Sequence, residues 1–94
     1  MTIVGRKLLT EFTKKHADVR SKLKTWLKDA EEANWKSHHD IKDLYPKASI
    51  KGTKENVVIF NIGKKYRLEA KVDFDVGVLV VSRIDTYSDY EKWS

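Results

Sequence analysis

The chain has 94 residues, 40% hydrophobic and 35% charged, which is enough apolar material for one small core and too much for a disordered chain. It contains no cysteine, which excludes disulfides, Cys-based zinc sites and a thiol nucleophile. Lys and Arg outnumber Asp and Glu by 19 to 14, a net +5, so the expected partner is a polyanion or a charged protein.

The N-terminal half reads as helices. Ile3 and Val4 suit a short first strand, and Leu8, Leu9, Phe12 and His16 are spaced for one helix face. A second helix is clearer, with Val19, Leu23, Trp26, Leu27 and Ala30 on one side and Lys22, Lys24, Lys28, Glu31 and Glu32 elsewhere. Asp18 is its expected N-cap, because a carboxylate there can accept from the free amides of the first turn. Ser37-His38-His39-Asp40 resembles a capping box with Asp for the usual Glu, opening a short helix through Ile41, Leu44 and Tyr45. Pro46 stops it, having no amide and restricting the residue before it.

Beyond Pro46 the period changes from helix to strand. Ala48-Ser49-Ile50 fits an edge strand, and Val57 to Ile62 is β-branched and apolar, as a central strand should be. Tyr66, Leu68, Ala70, Val72 and Phe74 alternate with Arg67, Glu69, Lys71 and Asp73, giving one apolar and one charged face. Asp75-Val76-Gly77 makes a turn, Val78 to Ile84 returns as a strand, and Thr86 to Trp93 supplies a last helical turn or two. Helices first and antiparallel strands second give an α+β fold, expected as a single domain over 1–94. The longest non-polar run, Val76 to Val81, is far below the ~20 residues of a membrane span. The N-terminus lacks the apolar stretch of a signal peptide, so a cytoplasmic protein without a membrane partner is expected.

Little in the sequence offers chemistry. Adjacent histidines on a helix point about 100° apart, so His38 and His39 do not converge on one metal ion. No Gly-rich phosphate loop exists; Ile62-Gly63-Lys64-Lys65 is a hairpin turn that presents two cations. Arg67 and Arg83 lie on consecutive strands, each flanked by apolar residues, and the tail adds Thr86, Tyr87, Tyr90 and Lys92. Arginine forks match phosphate oxygens, and tyrosines stack on bases or move protons. The alternative is that Arg67 pairs with Glu69 or Asp85 and the tyrosines pack the sheet. Residues 1–54 hold 13 Lys/Arg against 7 Asp/Glu, so the basic excess lies on the helical half. That pattern suits a phosphate backbone or a solvated face.

The run from Leu8 to Phe12 with Lys15-His16-Ala17-Asp18 resembles the start of HigB toxins of the RelE superfamily. Ala33-Asn34-Trp35-Lys36-Ser37 is similar to their helix-joining segment, and Asp40-Ile41-Lys42, Tyr45-Pro46 and Ala48 continue the likeness. Val58 to Leu68 resembles the family's "VFN(I)…NKYRL" block, and Arg83 to Tyr90 its "R-F-x-G-T-H-x-E-Y-D" ending. The resemblance runs the whole chain in order.

It implies a RelE-like fold, with N-terminal helices on a twisted antiparallel sheet of 3–5 strands and a short C-terminal helix. It also implies a toxin of a type II toxin–antitoxin pair that cleaves mRNA in the ribosomal A site and contacts ribosomal RNA. A HigA-type antitoxin would neutralise it, and operator DNA would be met only through that antitoxin. By the same resemblance, Arg67 and Arg83 contact the scissile phosphate, and Tyr90 and Thr86 fall on the tyrosine of "EYD" and the threonine of "TH". The implied reaction is metal-free attack by the ribose 2′-OH, leaving a 2′,3′-cyclic phosphate and a 5′-OH, with no cofactor. Tyr87 or Tyr90 would serve as acid or stack on the base. Lys64, Lys65 or Lys71 would serve as base, and Lys64, Lys65, Lys71, Thr86 and Lys92 would bind RNA.

Two departures stand out. Tyr87 occupies the motif's histidine position, and the turn at Gly63-Lys64-Lys65 is one residue short. Histidine carries protons near neutral pH, whereas tyrosine titrates near ~10. A second reading is therefore a weakened or silent RelE-like domain that binds its antitoxin. A third, a basic RNA-binding module unrelated to toxins, has no RRM, KH or OB signature behind it.

Overall fold

The computed structural model describes residues 1–51 and 56–93. Strands β1 (Thr2–Val4), β2 (Ser49–Lys51), β3 (Val57–Ile62), β4 (Tyr66–Asp73) and β5 (Val78–Thr86) form one sheet in the order β1-β5-β4-β3-β2. Helices α1 (Arg6–Lys15), α2 (Arg20–Glu32), α3 (His38–Leu44) and the single turn α4 (Tyr87–Tyr90) complete an α+β fold. The expected edge strand after Pro46 is β2, and the expected terminal turn is α4. No helix among the described residues is long and apolar enough to cross a membrane.

The meander β2–β3–β4–β5 is antiparallel, as its short connections require. The sheet as a whole is mixed, because β1 runs parallel to β5 with Ile3 opposite Leu79. A parallel neighbour needs a long crossover, and the helices and strands between β1 and β5 supply it. Gly5 makes the sharp exit from β1: its φ is +98°, and a Cβ there would lie 2.7 Å from the Val81 carbonyl oxygen.

One face of the sheet is dry. Val58, Phe60, Ile62, Tyr66, Leu68, Ala70, Val72, Leu79, Val81 and Ile84 pack against Leu9, Val19, Leu23, Trp26, Ala30, Trp35 and Ile41. The alternation read along β4 holds residue by residue, with Tyr66, Leu68, Ala70 and Val72 buried and Arg67, Glu69, Lys71 and Asp73 facing outward. Phe60 is the hub, meeting Trp26 edge-on at 5.4 Å, Tyr45 at 5.5 Å and Trp35 in a stack at 6.1 Å.

Two caps differ from expectation. Asp18 sits in a 3-10 turn (Ala17–Val19) and makes no cap to α2. Its carboxylate instead accepts from the Tyr66 hydroxyl at 2.7 and 2.9 Å, a partner 48 residues away that helix-cap spacing cannot reveal. Asp40 reaches back to the Lys36 amide at 2.8 Å, one residue before Ser37, and the Ser37 side chain caps nothing.

The Asp18–Tyr66 bond ties the hairpin after β3 to the helical layer, where Phe12 and His16 surround the Tyr66 ring. The tyrosine hydrogen bond, with help from nearby Lys65 and His16, holds the Asp18 carboxyl below its usual range; the same bond raises the Tyr66 phenol. The lowered carboxyl contributes stability above pH ~4 that is lost as pH falls through its folded value. The raised phenol contributes stability below pH ~10 that is lost as pH rises through its folded value. The stability advantage of wild type over Tyr66→Phe is therefore expected to be largest between those limits and to narrow on both sides. Urea unfolding of both proteins across pH checks this, and a difference independent of pH would refute the pairing.

Candidate functional site

The charged face of β4 and β5 meets the β3–β4 hairpin and α4 at one end of the sheet. Register sets the arrangement. Asn61 lies opposite Arg67, Arg67 opposite Asp85, Glu69 opposite Arg83, and Tyr66 opposite Thr86. Arg67 and Arg83 are thus diagonal neighbours, with backbones ~7–8 Å apart.

A β-bulge decides where Arg83 points. Between Glu69 and Ala70 the pairing skips from Arg83 to Val81, so Ser82 is an extra residue on β5. Leu79, Val81 and Ile84 are buried while both Ser82 and Arg83 are exposed. Strict alternation from Val81 would have sent Arg83 into the core. The Ser82 hydroxyl secures the bulge by donating to the Glu69 carboxylate at 2.9 Å and the Glu69 carbonyl at 3.2 Å.

Arg67 is braced from below and left open. Its Nη1 donates to the Tyr66 carbonyl at 2.8 Å, with longer contacts to the carbonyls of Lys64 and Gly63. Its guanidinium lies 4.6 Å from the centre of the Tyr87 ring and 5.9 Å from that of Tyr90. Among the described residues no carboxylate pairs with it, so the expected alternative partners Glu69 and Asp85 do not neutralise it. The Asp85 carboxylate accepts from the Thr86 amide instead.

Arg83 lies 4.1 Å over the Trp93 ring and 3.7 Å from the Glu69 carboxylate. Both contacts are weak at a half-exposed site, each worth about 0.5–1 kcal/mol. A bidentate phosphate contact, at about 1.5–3 kcal/mol per charged hydrogen bond, outcompetes either.

The tail is folded onto the arginines by local bonds. The Tyr87 amide donates to the Lys65 carbonyl at 2.6 Å, and the Thr86 hydroxyl caps α4 by accepting from the Asp89 amide at 3.2 Å. Tyr87, Tyr90 and Trp93 then form a chain of rings, 6.0 and 5.1 Å between centres. Tyr87 is 43% exposed, so its ring and hydroxyl are available to a ligand.

The proposed RNA-binding residues do not all gather here. Lys64 shares a groove with Arg67, whereas the Lys65 charge acts on Asp18 at the helical layer. Lys71 is four residues from Arg67 along β4, ~13 Å away, beside Asp73, Asp75 and Val80. Lys92 is exposed and pairs with Asp89 at 3.7 Å. The Thr86 hydroxyl accepts from the backbone of α4 in a solvent-exposed bond, which leaves its own proton free to donate. His38 contacts Asn56 and Phe74 while His39 faces Asp43, so the two histidines diverge as expected.

The alternation of β4 marked Glu69 as a member of the charged face, although its partner is Arg83 rather than Arg67. Asn61 and Trp93 were missed as members of this surface. The Asn interrupting an apolar strand was a signal for the first, and nothing in a linear pattern marked the second.

The profile of the HigB toxin family, described as the RelE-like toxic component of a toxin–antitoxin system, matches residues 19–93. The chain belongs to that family. No curated protein matches it. The matched segment of this HigB-family chain takes in α2 to the tail and includes both arginines, the tyrosines and the hairpin lysines. Membership gives it a toxin role and implies an antitoxin partner.

Proposed function

We propose that the whole chain, 1–94, is one toxin domain that cleaves mRNA in the ribosomal A site, in the cytoplasm, and is neutralised by a HigA-type antitoxin. Operator DNA would be reached through the antitoxin. What carries this reading is the pair of diagonal arginines, free of strong partners, beside the exposed ring of Tyr87 on the surface of a HigB-family chain.

In the proposed reaction the ribose 2′-oxygen forms a bond to the adjacent phosphorus and the bond to the 5′-oxygen breaks. The products are a 2′,3′-cyclic phosphate and a 5′-OH, with no metal ion taking part. Arg67 and Arg83 bind the phosphate and offset the charge that grows on its oxygens. The 5′-oxygen takes a proton from Tyr87, which lies against Arg67, or from Tyr90 behind it. Of the three lysines considered as the acceptor of the 2′-OH proton, Lys64 is the one beside Arg67.

Primer extension on a defined mRNA, with and without programmed ribosomes, tests the reading. New 5′ ends that require the ribosome support it, and none from folded protein would overturn it. Arg83→Ala is expected to abolish growth arrest on induction in cells, and unchanged arrest would remove Arg83 from the site.

The tyrosine at the motif's histidine position favours a second reading, a catalytically silent domain that binds its antitoxin. In that case Tyr87→His would create toxicity where the natural chain has none.

A further inference from the structure

The β3–β4 hairpin and the turn after α3 form a groove of about 470 Å³ that Arg67 lines and that Tyr87 and Tyr90 do not. That is within the range of small-ligand sites. Leu44, Tyr45 and Pro46 give it an apolar wall, and Asn61, Lys64 and Arg67 give it polar groups. Arg67 therefore lines this groove and also touches the ring of Tyr87.

Asn61 is the anomaly. It is the one polar residue in Val57–Ile62, the central run of β3, where Asn is disfavoured. Being opposite Arg67, its side chain is on the open face, with Cβ atoms ~5 Å apart. The hydrogen bonds around it run from Arg67 to the carbonyls of Gly63, Lys64 and Tyr66, and among the described residues they leave its amide unused. A half-buried amide with no structural task beside an open arginine points to a ligand.

We propose that this groove is a nucleobase subsite: it holds the base of the nucleotide whose phosphate Arg67 binds, and the Asn61 amide reads the edge of that base. The inference rests on the RNA-cleaving reading above. A planar amide offers one donor and one acceptor side by side, which matches the paired edge groups of a base. The apolar wall takes the face of the base, and Lys64 adds positive charge for the phosphate.

The test is an NMR titration with each of the four nucleoside 3′-monophosphates and with inorganic phosphate. It compares wild type, Asn61→Ala and Arg67→Ala. Wild type is expected to prefer one nucleotide by about fivefold, the size of one net hydrogen bond, with shifts at Asn61 and Leu44. Asn61→Ala is expected to erase that preference while binding inorganic phosphate as wild type does, which also shows that it is folded. Arg67→Ala is expected to weaken all five ligands. Equal affinities in wild type, a preference that survives in Asn61→Ala, or shifts confined to the tyrosine side overturn the subsite. Unchanged binding of every ligand by Arg67→Ala would instead overturn the phosphate-binding reading beneath it.

Discussion

Arg67→Ala is expected to slow ribosome-dependent mRNA cleavage by about 10²–10³-fold, the usual loss when a preorganised donor to a developing anion is removed. Its stability cost is expected to be small. The guanidinium has no carboxylate partner among the described residues, so its loss leaves no orphaned charge. What it does give up is a ring contact with Tyr87 and bonds to hairpin carbonyls at the surface. Arg67→Lys is expected to recover little, because a single ammonium lacks the planar fork by which one guanidinium reaches the carbonyl of Tyr66 and two phosphate oxygens together. Single-turnover cleavage on programmed ribosomes, with urea unfolding of the same samples, separates the two effects. Wild-type cleavage by Arg67→Ala would place the phosphate elsewhere.

The largest stability effect is expected at Phe60. Truncation to alanine removes the ring on which Trp26, Trp35 and Tyr45 converge, at a cost of about 3–5 kcal/mol. Domains of this size have only about 5–15 kcal/mol in total. A large share of the folding free energy would go, and Phe60→Ala should unfold at much lower urea than wild type. Phe60→Leu, which keeps most of the volume, is expected to lose less than half as much. Equal midpoints for wild type and Phe60→Ala would show that the three helical-layer contacts are not coupled through this ring.

Periodicity carried the fold where burial is one-sided. The stripe of Val19, Leu23, Trp26 and Ala30 and the alternation from Tyr66 to Val72 each had a single physical solution. It failed where a partner is distant in sequence. The parallel pairing of β1 with β5 joins residues about 76 apart, and the hydroxyl that claims Asp18 comes from a different layer. Both site arginines were legible as charges in apolar surroundings. The stack of Arg83 on Trp93 was not, because it depends on how α4 turns the tail back over the sheet.

The bulge at Ser82 also bears on which changes of length such a chain can absorb. Residues on a strand alternate between faces, so an unmatched residue shifts all that follow by half a period. The bulge takes up that shift between Val81 and Arg83. In-frame loss of the Ser82 codon would therefore put Val81 and Arg83 next to each other and on opposite faces, with the arginine still outward in a regular ladder. Such a deletion would cost the bonds to Glu69 and the local twist rather than the direction of the guanidinium.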